Sequence, residues 1–308
     1  MRTQYSIRMN RRRFFESSAL ALGASALRLQ AAQPNAVFPT DARARLAVAS
    51  WPFRKLVDPK TGTMKLVDFP AFISERFGVP GIEPLSGHFP STEASYLREF
   101  RAALGKAKMH VVNIPVNPKG SLYDPDEARR QQAVAAARHW VDVALAIGSP
   151  SLRVSVERAH GAKPDAARAA ESLKIIAGYG EQKNVVINLE NDDPESEDAF
   201  FLIDVIQRVR SPYLRALPDF CNSMVEKHGD AAFNYAAVKA MFAHAYNISH
   251  VKAAESDGPA LYQVDLAKTF KVAKEAGFRG YYSMEFDQEG DPLAGTKFLV
   301  EQSLKYLA

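Results

Sequence analysis

From residue 46 onward the chain switches repeatedly between two hydrophobic periods. Eight short runs are apolar on both faces: LAVASW (46–51), VPGIEPL (79–85), MHVVNIPV (109–116), SLRVSVE (151–157), NVVINLE (184–190), YLRALPDF (213–220), NISHVKA (247–253) and GYYSMEFD (280–287). Segments of helical period with charged faces lie between them, at 92–107, 125–148, 165–182, 197–210 and 261–277. Runs buried on both faces are the mark of parallel strands. Parallel neighbours need helical crossovers, and these are right-handed. Eight such units predict an α/β fold, a (β/α)8 TIM barrel in a single domain. The competing arrangement, an open doubly wound sheet, normally carries a glycine-rich phosphate loop after its first strand. Here that loop reads SWPFRK and has no glycine. Gly148 and Gly277 follow helical segments as C-caps. No Gly/Ser linker or charge run divides the chain, and 308 residues is an ordinary length for one barrel.

Four side chains close four successive strand runs: Glu190, Asp219, His250 and Glu285. The gaps are 29, 31 and 35 residues, each about one strand, one helix and two loops. In a barrel the C-terminal strand ends surround the active site. Three carboxylates and one neutral imidazole there suit one divalent ion, Mn2+, Mg2+, Co2+ or Zn2+. Cys221, the only cysteine, excludes an internal disulfide; two residues past Asp219, it reads as a small buried side chain rather than a soft ligand.

The N-terminus reads as an address. Residues 10–16, NRRRFFE, resemble a bacterial twin-arginine export signal, and the mildly apolar stretch after them is too short and too rich in Ala and Ser for a stable membrane anchor. The expected organisation is a signal peptide and short linker over 1–36 and the barrel over 37–308, with cleavage between about 26 and 36 and a periplasmic or extracellular destination. Residues 1–30 carry six arginines against Glu16, or +5, so a chain of net charge +4 is left with −1 elsewhere. The basic character belongs to the leader, and nucleic acid is not the expected partner.

The runs INLEN, LPDF, SHVK and SMEF resemble strand endings of the xylose isomerase-like TIM-barrel superfamily, as do GVPGIEP at the second strand and GSPSLRV at the fourth. The resemblance spans residues 46–306. It implies that Glu190, Asp219, His250 and Glu285 are metal ligands, and that Glu190 and Glu285 also act as catalytic acid and base in a sugar isomerase or epimerase. The chain departs from the family pattern at Asn222, Asp192 and Ala253, where histidine, histidine and an acid are common. Endonuclease IV-like members need further histidines for three metals; here the third strand ends Asn113-Ile114-Pro115, which argues against DNA cleavage.

The expected reaction is proton abstraction next to the carbonyl of a keto-sugar or related carbohydrate. The alternatives are a lyase or hydratase acting on a 3-keto-sugar and a non-catalytic carbohydrate-binding barrel. Lys252 follows His250 by two and shares its side of the strand, so it is expected at the substrate with Asn222, Glu83 and His88. Arg153 either orients substrate or pairs with Glu157 or Glu83. Trp51 and Phe53 are expected to stack on a sugar ring. A homo-oligomer is compatible with the sequence.

Overall fold

The computed structural model describes residues 33–308, which form one compact unit. The twin-arginine motif and the apolar stretch after it lie outside the described residues. Of the expected linker, residues 33–36 belong to the compact unit: Asn35 N donates to Asn184 Oδ1 and Tyr246 Oη donates to Pro34 O.

The strands are β1 (Leu46–Ala49), β2 (Gly81–Glu83), β3 (His110–Val111), β4 (Pro115–Val116), β5 (Ser151–Val154), β6 (Val186–Glu190), β7 (Leu214–Leu217), β8 (Ile248–Val251), β9 (Ala254–Asp257), β10 (Ala260–Gln263) and β11 (Tyr281–Met284). One parallel sheet runs β3-β2-β1-β11-β8 and a second β4-β5-β6-β7. They join into an eight-stranded (β/α)8 barrel at two seams. At one, the third strand is split into β3 and β4 around Asn113, because Pro115 has no N–H to give the ladder. At the other, Pro218 interrupts the strand, and pairing resumes through His250 N donating to Pro218 O and the bridge Asp219↔His250. Side chains of the barrel strands are buried on both faces apart from His110, Arg215 and Tyr281, with Leu46, Ile82, Leu152, Ile187 and Leu214 fully covered, whereas most of those on β9 and β10 are at least partly open to solvent.

Six of the helices start from an aspartate whose carboxylate accepts backbone N–H groups of the first turn: Asp126, Asp165, Asp198, Asp230, Asp265 and Asp291. This satisfies donors that a helix start leaves open and suits the helix dipole. The helices include α1 (Phe69–Phe77) and α2 (Pro292–Leu307), which periodicity alone did not mark. The helix expected over 261–277 begins only at Leu266. Residues 260–263 instead pair antiparallel with β9, turning at Gly258 with φ +56°. The hairpin β9–β10 follows directly on the strand that carries His250. No helix among the described residues is long and apolar enough to cross a membrane.

Candidate metal centre

Each of the four expected ligands reaches the site from its own strand end. Glu190 closes β6, Asp219 follows β7 after Pro218, His250 lies within β8, and Glu285 follows β11. Ligand atoms from all four lie within 4.8 Å of one another, and all four residues are buried. Asp219 is held by its neighbourhood: its Oδ1 accepts the N–H groups of Cys221 and Asn222 at 2.8 and 2.7 Å. Its Oδ2 is buried without a hydrogen-bond partner, Lys252 Nζ being 3.8 Å away.

His250 is fixed from both sides. Nδ1 faces the cluster, 2.6 Å from Glu190 Oε1 and 3.2 Å from Glu285 Oε2. Nε2 lies 3.0 Å from both oxygens of Glu83. Glu83 is held in turn by Asn113 Nδ2 at 2.8 Å, and Asn113 accepts from Ser151 Oγ at 2.6 Å. Burial works against charging the imidazole, but Glu190, Glu83 and Glu285 outweigh it and hold its pKa well above the ordinary value, so both ring nitrogens donate; if Nδ1 gave up its proton to an ion, Nε2–H on Glu83 would keep the freed lone pair toward the other three ligands.

Two buried cations flank the cluster. Arg153 donates Nε to Glu190 Oε2 at 2.8 Å, also pairs with Asp192, and donates Nη1 to Asn117 Oδ1 at 2.9 Å. Lys252 Nζ donates to Asn222 Oδ1 at 2.7 Å and Glu255 Oε2 at 2.9 Å, and lies 3.4 Å from Glu285 Oε2. Burial works against charging both, yet Glu190 beside Arg153 and Asp219 and Glu285 beside Lys252 hold their pKa values well above the ordinary ones. Burial pushes the Asp219 carboxyl up to about 8, against the pull of Lys252. Burial would raise Glu285 too, but His250 and Lys252 outweigh it and hold the carboxyl well below the usual range.

The residues fit a divalent cation. Glu83, Glu190, Asp219 and Glu285 put four carboxylates in the interior, and Arg153 and Lys252 supply two permanent cations. Buried charge in excess is costly unless paired or coordinated. The bare Asp219 oxygen and the mixed oxygen–imidazole donor set suit the same ion.

Several expected substrate contacts lie elsewhere. Glu83 is fully buried and bound to His250, so it supports the imidazole rather than meeting substrate. Arg153, 4% exposed, pairs with Glu190 and Asp192, not with Glu157 or Glu83. Phe53 is buried among Phe69, Phe72 and Phe77, ring centroids 5.5–6.1 Å apart, and packs rather than offering a face to a sugar. Trp51 and His88 line a cavity of about 560 Å3 that also includes Asn117. One face of Trp51 is covered by the Arg54 guanidinium, 4.3 Å from the ring centre. His88 shares a hydrogen bond with Ser50 Oγ, and burial lowers its pKa to about 4, so it is neutral. Asn222 Nδ2 is buried with no partner, a donor left open beside Lys252. Cys221 is a buried free thiol whose pKa burial raises strongly.

Sequence reasoning did not pick out Asp192, Asn117, Glu255 and Asp287 as parts of the site. Asp192 and Asp287 had a signal: each follows a cluster glutamate by two residues and so keeps its strand phase.

The family model described as a xylose isomerase-like TIM barrel matches residues 72–308. Among curated proteins none matches the sequence. Solved structures share the fold. A xylose isomerase-like TIM barrel protein from Mycobacterium smegmatis, solved with magnesium, has a TM-score of 0.69 at 16% identity, covering 87% of this chain and 98% of that one. D-psicose 3-epimerase from Clostridium cellulolyticum H10, solved with D-tagatose, gives 0.65 at 12% identity, covering 85% and 96%. The 3-keto-D-glucoside 4-epimerase of E. coli gives 0.61 at 13% identity, covering 85% and 98%.

Proposed function

The chain belongs to the xylose isomerase-like TIM-barrel family, and on that footing we propose that it is a divalent-metal-dependent sugar isomerase or epimerase acting next to the carbonyl of a keto-sugar. The observation that carries this reading is the convergence of Glu190, Asp219, His250 and Glu285 around a bare, buried carboxylate oxygen. A bound ion would polarise the sugar's carbonyl and an adjacent hydroxyl. The chain's own residues supply the rest. Glu285, kept ionised, takes the proton from the carbon next to the carbonyl. Glu190, at the end of β6, delivers a proton of its own to that carbon, and exchange through solvent afterwards passes the proton on Glu285 back to Glu190. Lys252 stays protonated and offers positive charge where negative charge develops on the sugar oxygens. Asn222 Nδ2 donates to a sugar hydroxyl.

The test is proton exchange. Protein loaded with Mn2+ is mixed with a panel of ketoses in D2O. Deuterium should enter the carbon beside the carbonyl of at least one, and a chelator should stop it. Undiminished exchange after chelation, or no exchange with any ketose, overturns the reading. Sugar binding without exchange would favour a carbohydrate-binding barrel, which Asn222 in place of the family's histidine supports. Two further relatives in structure, L-ribulose 3-epimerase and a D-allulose 3-epimerase solved with D-allulose, support a ketose as the first substrate to try.

We also infer export by the twin-arginine route, on the strength of Arg11, Arg12, Phe14 and Phe15. Replacing both arginines by lysine should hold the full-length protein in the cytoplasm; unchanged export would refute it.

A further inference from the structure

Two cavities open side by side near the C-terminal strand ends, and Arg54 and Lys55 line both. The first is the polar one of about 560 Å3 beside Trp51 and His88. The second, about 910 Å3, has a different character: Pro52, Leu56, Phe72, Phe286, Pro292 and Leu293 form its apolar wall. Loops from opposite ends of the chain build it, one following β1 and one joining β11 to α2, with Phe72 contributed by α1.

A chain of charges connects this cavity to the metal centre. Arg54 Nη2 lies 3.5 Å from Asp287 Oδ1, and both residues line the cavity. Asp287 Oδ2 lies 3.8 Å from Lys252 Nζ, which is 3.4 Å from Glu285 Oε2. The Arg54–Asp287 pair thus stands between the cavity and the proposed catalytic carboxylate. At the wall, Gln288 Oε1 is buried with no hydrogen-bond partner. Leu56, Phe72, Phe286 and Leu293 remain only partly covered by the protein. A hollow of this size and lining is suited to ligand burial, and none of the four cluster residues lines it.

We propose that the second cavity is an aglycone subsite, receiving the apolar aryl or alkyl group of a glycoside whose keto-sugar ring sits at the metal centre. This rests on the proposed function and narrows its substrate class from free ketoses to keto-glycosides. Apolar burial against Phe72, Phe286 and Leu293 provides affinity that scales with the size of the group. The open acceptor Gln288 Oε1 takes a hydrogen bond from a phenolic hydroxyl on the aryl group.

The test uses the intact, Mn2+-supplemented protein and two probes, the methyl and the phenyl β-D-glucopyranosides oxidised to their 3-keto forms, with binding measured by calorimetry. The phenyl glycoside should bind at least about tenfold tighter than the methyl one. Leu293→Trp, which fills the hollow, should erase that gain, so that the two glycosides bind alike. Leu293→Asn, which makes the wall polar without adding bulk, should remove most of the gain and serves if the tryptophan variant does not fold. Equal affinity for the two probes, or a gain that survives both substitutions, overturns the subsite. Failure of both probes to bind while a free ketose binds also overturns it. Failure of every sugar to bind overturns the proposed function instead.

Discussion

Glu190 and Glu285 each sit at the end of a barrel strand, and each is followed two residues later by an aspartate paired with a cation. On the Glu190 side the cation is Arg153, whose planar guanidinium engages Glu190, Asp192 and Asn117 together. On the Glu285 side it is Lys252, whose nearest partners are Asn222 and Glu255, with Glu285 farther off at 3.4 Å. A guanidinium fork holds several acceptors in fixed directions, whereas an ammonium is a point charge that divides itself among them. Glu190 is therefore pinned and Glu285 is not. In the proposed reaction the same residue type at equivalent strand ends has two settings: Glu190 would deliver a proton from a fixed position that also sets the geometry of the cluster, and Glu285 keeps the freedom to take one.

The largest effect that can break this comparison comes from the glutamates themselves. Glu285→Gln should abolish proton exchange, by about 10^2–10^4-fold, while keeping most of the metal affinity. Glu190→Gln should lose metal affinity and exchange together. Metal titration alongside D2O exchange reads both, and the reverse pattern would sink the division of tasks. The cations come next, read by urea unfolding. Arg153→Met leaves Glu190 charged and buried without its partner, which costs about 3–5 kcal/mol. Lys252→Met should cost less, because the shortest contact of Lys252 is to the neutral Asn222, Glu285 keeps His250 at 3.2 Å, and Asp219 keeps two backbone N–H donors. Equal losses would mean that the two flanks are not distinct.

How much of this was legible in the sequence follows from what sets each feature. The strand-end positions of Glu190, Asp219, His250 and Glu285 depend on strand and helix lengths, which hydrophobic period reveals. Arg153 and Glu83 were visible as charged residues in buried strands, but their partners were not. Glu83 meets His250 across 167 positions of sequence, and only barrel closure brings them together. Phe53 looked like a mouth residue because it follows β1, yet the first turn after that strand directs it into the aromatic cluster with Phe69. The hairpin β9–β10 was masked because the apolar Leu261 and Val264 run straight into the helical series Leu266, Phe270 and Ala273, although Asp257-Gly258 is a turn signal. Six aspartate caps were in plain view and would have placed the helix starts within a residue or two.

A smaller effect sharpens the comparison from below. Both halves of the site depend on the direction of His250, and Glu83 sets that direction. Glu83→Gln can present an N–H to Nε2 and favour the tautomer whose proton occupies Nδ1, the nitrogen facing the cluster. Metal affinity should fall by about 10–100-fold. Nitrogen shifts of His250 in the Zn2+-loaded protein should report the change of tautomer. Unaltered affinity with unaltered shifts would show that the cluster carboxylates alone orient the ring.

The smallest expected difference lies at Glu197, behind the Glu190 flank. Its carboxylate accepts Val156 N at 2.6 Å and is almost wholly covered. Burial raises its pKa to about 7, against the pull of Arg153. Between pH 4.5 and 7 the folded protein therefore holds a proton that the unfolded chain releases, so this group makes stability fall as pH rises through that window. The loss is at most about 3 kcal/mol across the window. Glu197→Gln should remove that part of the slope, and urea unfolding at pH 5, 6 and 7 measures it. Arg153→Met should steepen the same slope, because the cation that favours ionised Glu197 is gone; Lys252→Met, on the other flank, should not. A slope that responds to Lys252 and not to Arg153 would place Glu197 in the wrong half of the site.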